Sequence, residues 1–106
     1  MNIEVSIYST SSGKEPYSDW EDSLDAKVRA IITTRLDRIK EGNFGDVTPV
    51  KGAKGIWEIR FDYGPGYRIY YGKVNTKVIL LLVGGDKKCQ TRDIGRAKRY
   101  WLDCKE

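Results

Sequence analysis

The sequence predicts an α+β domain: an antiparallel sheet, mostly a meander, packed by two N-terminal helices and a C-terminal helix. Three observations lead there. Apolar side chains between Leu24 and Ile39 recur at three- and four-residue steps, the period of a helix. Residues 56–83 alternate or run apolar in short stretches separated by Gly, Pro and Asn turns, the mark of successive strands. From Ile94 onward the helical period returns. A chain of 106 residues suits one domain spanning 1–106.

Ile3, Val5 and Ile7 alternate with Glu4, Ser6 and Tyr8, giving a half-buried first strand that is expected to join the sheet. Residues 9–13 (STSSG) form a turn. Ser18 to Glu21 has capping-box spacing near the start of a short helix, with Tyr17, Trp20 and Leu24 on one side. A longer helix follows from Asp25, with Leu24, Val28, Ile31, Ile32, Leu36 and Ile39 as its apolar stripe and Gly42-Asn43 as its stop. Lys27, Arg35, Arg38 and Lys40 then fall on its solvated face. Residues 45–55 read as a loop. Trp57, Ile59, Phe61 and Tyr63 make the aromatic face of a strand, and Gly64-Pro65-Gly66 turns it into a return strand from Tyr67 to Val74. Val78 to Val83 is apolar on both faces, which predicts an interior strand covered on both sides. The last helix has Ile94, Ala97, Trp101 and Cys104 as its buried seam, and Arg92, Arg96 and Arg99 on a separate basic stripe.

Composition removes several functions. There is no His, so His-based acid–base catalysis and a Ser-His-Asp triad are excluded. Neither a GxGxxG nor a Walker A pattern is present, and two cysteines without CxxC spacing do not suggest zinc, so no cofactor is expected. With no apolar run long enough for a bilayer and no signal-peptide pattern, a cytoplasmic protein with no membrane partner and reduced, structural thiols is expected. Charge is unevenly placed. Residues 1–50 hold 6 Lys and Arg against 9 Asp and Glu, whereas residues 51–106 hold 13 against 6, so the net +4 comes from the second half. That asymmetry points to an anionic partner, nucleic acid first, or to a merely solvated basic surface.

The hairpin carries the candidate chemistry. Glu58 and Arg60 share the strand face opposite the aromatics, and Arg68 and Tyr70 share the matching face of the return strand. Lys87 and Lys88 follow the neighbouring strand. One carboxylate among several cations fits phosphodiester cleavage in RNA, which supplies its own 2′-hydroxyl nucleophile. The reaction needs a base for that hydroxyl, cations for the charge growing on phosphorus and an acid for the leaving 5′ oxygen. Glu58 is the expected base. The plainer alternative is a cross-strand Glu58–Arg60 or Glu58–Arg68 pair on a solvated sheet face.

Trp57-Glu58-Ile59-Arg60, Gly66-Tyr67-Arg68-Ile69-Tyr70-Tyr71, Leu80-Leu81-Leu82 with Gly85-Asp86-Lys87-Lys88, and Gln90 to Ile94 with Ala97 resemble the RelE/ParE toxin superfamily. Within it they are similar to the HigB-like "addiction module killer" or phage Gp49-like branch. The resemblance implies a RelE-like (microbial ribonuclease-like) fold and a toxin of a type II toxin–antitoxin system that cleaves mRNA on the ribosome without a metal. It also implies a cognate antitoxin, often a helix-turn-helix (HigA-like) protein. Arg68 matches the phosphate-stabilising Arg of the family, Lys87 (or Lys88) the basic residue after the last strand, and Arg60 a second cation. The sequence departs where some relatives carry lysines on the first hairpin strand, here Ile56 and Glu58, and a catalytic Tyr in the last segment has no counterpart.

Lys51, Lys54, Lys88, Arg92, Arg96 and Arg99 are the expected RNA-binding residues. For the arginine stripe, ribosomal RNA, the antitoxin and plain solvent all remain open. Asp93 reads as a helix N-terminal residue favoured by the helix dipole. Two other functions compete: a toxin of the same superfamily that inhibits DNA gyrase by binding, and a non-catalytic RNA- or protein-binding module.

Overall fold

Asp25 explains where the longest N-terminal helix begins: its carboxylate accepts the Val28 N–H at 3.0 Å, satisfying a donor that the helix cannot. This helix, α2 (Ala26–Lys40), appears in a computed structural model that describes residues 2–105. Around it lie β1 (Glu4–Ile7), α1 (Pro16–Asp22), β2 (Val47–Pro49), β3 (Ile56–Arg60), β4 (Tyr67–Lys73), β5 (Val78–Asp86), a single 3-10 turn (Lys87–Cys89) and α3 (Gln90–Lys105). Among the described residues no helix is long and apolar enough to cross a membrane.

The five strands form one sheet in the order β1-β5-β4-β3-β2. The expected meander of β3, β4 and β5 is antiparallel throughout. β1 does join the sheet, but it runs parallel to β5, with Glu4 opposite Val78 and Ile7 opposite Leu81, so the sheet is mixed. The Ile3 N–H bonds to the Lys40 carbonyl at 2.7 Å, tying the start of β1 to the end of α2. Two local expectations are corrected. Residues 45–55 are not all loop, because Val47–Pro49 pairs antiparallel with β3; Pro49 is tolerated since β2 is an edge strand. The short helix begins at Pro16 rather than at Ser18, using proline at its first position, where the missing N–H costs nothing.

Both faces of the sheet are covered. On one, Val28, Ile32 and Ile39 of α2 and Tyr17 of α1 pack on Ile59, Ile69, Tyr71, Ile79 and Leu81. On the other, Ala97 of α3 packs on Ile56, Tyr70, Leu82 and Val83, with Ile94, Tyr100 and Trp101 alongside. Each fully buried aliphatic side chain contributes about 1.5–3 kcal/mol by leaving water. The α3 seam therefore contains Asp93, Ala97 and Trp101, while Cys104, expected in it, is exposed near the end of the helix. A β-bulge between Tyr70 and Tyr71 leaves Leu82 without an opposite residue, so Leu82 and Val83 both face α3.

Tyr8 latches the far end of α3. It stacks on Tyr100 at 5.1 Å and donates its hydroxyl proton to Asp103. The hydrogen bond to Asp103, and then burial, push the Tyr8 phenol up to about 12 from 10.0. A phenol whose folded pKa is raised adds stability that is complete below pH 10 and is lost between pH 10 and 12, because the unfolded chain ionises first. Tyr17, Tyr70 and Tyr71 are pushed upward too, mainly by burial. Thermal unfolding followed against pH should therefore show stability falling above pH 10. Tyr8→Phe should make that fall shallower without abolishing it; an unchanged slope would show that the latch is not formed.

Candidate active site

The hairpin register sets the site. Glu58 lies opposite Tyr70 and Arg60 opposite Arg68, and Arg68 lies opposite Gly85 on its other side. Gly64 and Gly66 adopt positive φ, +55° and +81°, which lets the chain turn back within residues 63–66, and the Gly66 N–H closes the turn on the Tyr63 carbonyl at 3.0 Å. Lys87 and Arg68 flank the same Gly66: a Cβ there would make ordinary contacts, 3.4 Å to Lys87 Cβ and 3.7 Å to Arg68 Nη1. The result is a cleft of about 420 Å³ lined by Arg60, Arg68 and Lys87 together with Asp46, Asp62 and the Gly64–Gly66 turn.

Three of the four residues expected to be catalytic thus share one opening. Arg68 is its buried cation, with a side chain only 10% exposed. Its Nη1 donates to the Tyr67 carbonyl at 3.3 Å, whereas its buried Nε makes no hydrogen bond among the described residues. That Nε faces Glu58, so the donor capacity left for an anion lies on the Nη groups. Lys87 is exposed on the 3-10 turn, which Asp86 caps by accepting the Cys89 N–H at 3.1 Å. Arg60 is half-exposed and stands between two carboxylates, 3.9 Å from Asp46 Oδ2 and 4.0 Å from Glu58 Oε2. Asp46 and Asp62 offset part of the positive charge of the lining.

Glu58 is placed differently from the expectation. The sheet face that the sequence left solvated lies under α3, and Glu58 and Tyr70 are buried there. The Glu58 side chain is 7% exposed and does not line the cleft; its Oε2 stands behind the guanidiniums, 3.7 Å from Arg68 Nε. Its Oε1 accepts a hydrogen bond from Gln90 Nε2 at 2.9 Å. A buried carboxylate without partners would be costly, and these three groups supply its compensation.

The remaining cations are dispersed. Lys88 is exposed on the 3-10 turn. Lys51 and Lys54 are exposed before β3, at the strand end opposite the cleft, about 15 Å away at the rise of a five-residue strand. The arginine stripe divides: Arg92 and Arg96 line a second hollow with Lys14, Asp19, Trp20 and Tyr100, whereas Arg99 is exposed outside that lining. Asp93 anchors the first two. It is fully buried, with Oδ1 3.2 Å from Arg92 Nε and 3.6 Å from Arg96 Nη1. The neighbouring carboxylate pushes the Arg92 guanidinium upward. Asp93 packs over Gly85, where a Cβ would overlap its Oδ2.

Four positions escaped sequence reasoning. Asp46 looked like a loop carboxylate, and Asp62 like one of the alternating polar residues of the strand 57–63. Gln90 was read only as part of the Gln90 to Ile94 segment, with no partner assigned to it. Arg35, assigned to a solvated helix face, lies over the Phe61 ring at 4.7 Å and donates to the Arg60 carbonyl at 3.1 Å, fixing the strand end that carries Arg60. A cation two turns into α2 beside an aromatic strand was the only available clue.

Comparison with known proteins gives three findings. Residues 19–100 match the family described as "Phage derived protein Gp49-like". An uncharacterized protein of Haemophilus influenzae is 41% identical over 83 residues, 77% of this chain and 82% of the relative. A mutant of the E. coli toxin RelE, solved in the free state, superposes with a TM-score of 0.65 over 92% of this chain and 95% of its own, at 16% identity. The last is a likeness of fold.

Proposed function

This chain belongs to the phage-derived Gp49-like family and has a RelE-like fold, and from that premise we propose that it is the toxin of a toxin–antitoxin pair and cuts messenger RNA on the ribosome. The observation that carries the reading is the cleft itself: Arg60, the buried Arg68 and Lys87 line one opening beside the carboxylates Asp46 and Asp62. RNA needs no metal here, because its 2′-hydroxyl is the nucleophile.

The step balances as follows. The 2′ oxygen bonds to phosphorus while the bond from phosphorus to the 5′ oxygen breaks, leaving a 2′,3′-cyclic phosphate and a 5′-hydroxyl. Arg68 and Arg60 stabilise the added charge on the phosphoryl oxygens, the kind of preorganised electrostatic assistance that is often the largest single catalytic contribution. Lys87 is the proposed proton donor to the 5′ oxygen. The 2′-hydroxyl proton passes to a carboxylate of the site, with Glu58, Asp46 and Asp62 beside the arginines. Lys88, Arg92 and Arg96 are proposed to hold the same RNA, and Lys51, Lys54 and Arg99 more distant ribosomal RNA, through phosphate contacts. The proposed setting is the cytoplasm, with a cognate helix-turn-helix antitoxin as the neutralising partner.

Primer extension on a reporter mRNA in a cell-free translation reaction tests this. Discrete cuts that appear only when ribosomes and the folded protein are both present are the expected result. Transcripts that stay intact while translation is arrested would overturn the nuclease reading.

A further inference from the structure

We infer that Asp46 is the carboxylate presented to the 2′-hydroxyl, and that Glu58 is a positioning residue for the arginines. The inference rests on the nuclease reading and assigns its proton acceptor. Access comes first. A base must reach its proton within hydrogen-bond distance. Asp46 lines the cleft with a side chain 57% exposed, whereas Glu58 is 7% exposed and outside the lining. To touch a substrate in the cleft, Glu58 would have to displace the Arg68 and Arg60 guanidiniums that stand in front of it.

Valence comes second. Glu58 Oε1 is taken by Gln90, and Oε2 faces Arg68 at 3.7 Å and Arg60 at 4.0 Å. That arrangement fixes two cations from behind, with Gln90 orienting the carboxylate from the first residue of α3. Asp46 is held by its backbone instead: its carbonyl accepts the Arg60 N–H at 3.0 Å. Its carboxylate is left with one long ion pair, 3.9 Å to Arg60 Nε. Asp62 also lines the cleft, but no hydrogen bond or ion pair among the described residues fixes its side chain there. In the reaction, an Asp46 oxygen takes the 2′-hydroxyl proton as the new bond to phosphorus forms, and the 5′ oxygen takes its proton from Lys87.

The test compares Asp46→Ala, Asp62→Ala, Glu58→Gln and Glu58→Ala in the ribosome-dependent cleavage assay, with and without added formate. Asp46→Ala should lower kcat by about 10²–10⁴-fold, the usual contribution of a general base, with an unchanged melting temperature and partial recovery in formate. Formate restores a missing proton acceptor and cannot restore a missing anchor. A loss in Asp62→Ala as large as that in Asp46→Ala, and recovered by formate, would assign the proton to Asp62 and overturn the inference. Both Glu58 variants should lose activity and melt earlier, because a buried guanidinium then lacks its counter-charge, and formate should not restore them. Asp46→Ala activity near wild type, a loss that formate leaves untouched, or formate recovery of Glu58→Ala instead would each overturn the assignment while leaving the nuclease reading intact. Absence of cleavage by the wild type removes the nuclease reading itself.

Discussion

Arg68→Ala is expected to lower ribosome-dependent mRNA cleavage by about 10²–10³-fold, the loss of about 3–4 kcal/mol that follows removal of one preorganised charge-stabilising donor. The effect should be large because Arg68 is the buried cation of the cleft, held from behind by Glu58. Single-turnover cleavage rates are the measurement. Arg68→Lys separates charge from geometry: lysine keeps the charge but loses the planar fork that can hold two phosphoryl oxygens, so it should recover only part of the rate. Because Arg68 also faces buried Glu58 at 3.7 Å, melting temperatures must accompany the rates. A variant that melts like wild type yet fails to cut supports the catalytic role. Full activity in Arg68→Ala would remove Arg68 from the chemistry.

The largest stability effect is expected at Gly72. This residue lies on β4 between Ile56 and Leu80, on the face that α3 covers, and a Cβ built there would overlap three atoms of the Trp101 ring. Neither a central strand nor a ring packed across it can shift by a tenth of an ångström and relieve such an overlap. Gly72→Ala should therefore cost about 1–3 kcal/mol, the usual range for overpacking. At roughly 4–8 °C per kcal/mol for a domain of about this size, the melting temperature should fall visibly. A double-mutant cycle isolates the cause: in a Trp101→Leu background, adding Gly72→Ala should cost little, since the overlapping ring is gone. Equal costs in both backgrounds would place the origin in the strand backbone instead.

Local periodicity made α2 legible. Its stripe of Val28, Ile32 and Ile39 is the buried stripe observed, because a helix reports its own inner face at every turn. The same holds for the hairpin, where alternation put Arg60 and Arg68 on one face and the register placed them opposite each other. What the sequence hid depended on a third element. Alternation separates the two faces of a strand without saying what covers each. Ile56 and Tyr70, which share a face with Glu58, were the hint that this face is not open, and α3 does close it. Asp46 was hidden for a different reason. It enters the cleft through pairing of a three-residue edge strand, too short to leave a periodic trace inside a Gly- and Pro-containing stretch. Cys104 misled because its helical phase was right while the helix ran on past the sheet that would have covered it.

The unpaired Leu82 has a reach beyond its own contacts. In a regular strand the odd and even positions keep their sides from end to end, so Leu80 and Gly84 would face the same way. Here the bulge inverts the parity halfway: Leu80 faces α3, but Gly84 faces the Trp20 ring of α1, and Gly85 receives Asp93. Both glycines are where they are because a large or charged partner presses on them from opposite sides. Straightening the run 80–83 with every residue kept would therefore do more than regularise a strand. It would exchange the ring and the carboxylate between two positions that each accept only hydrogen, and carry Asp86 and Lys87 to the wrong sides of the molecule. The frame of the cleft is thus counted out along β5, and the bulge is the odd count that makes it come out right.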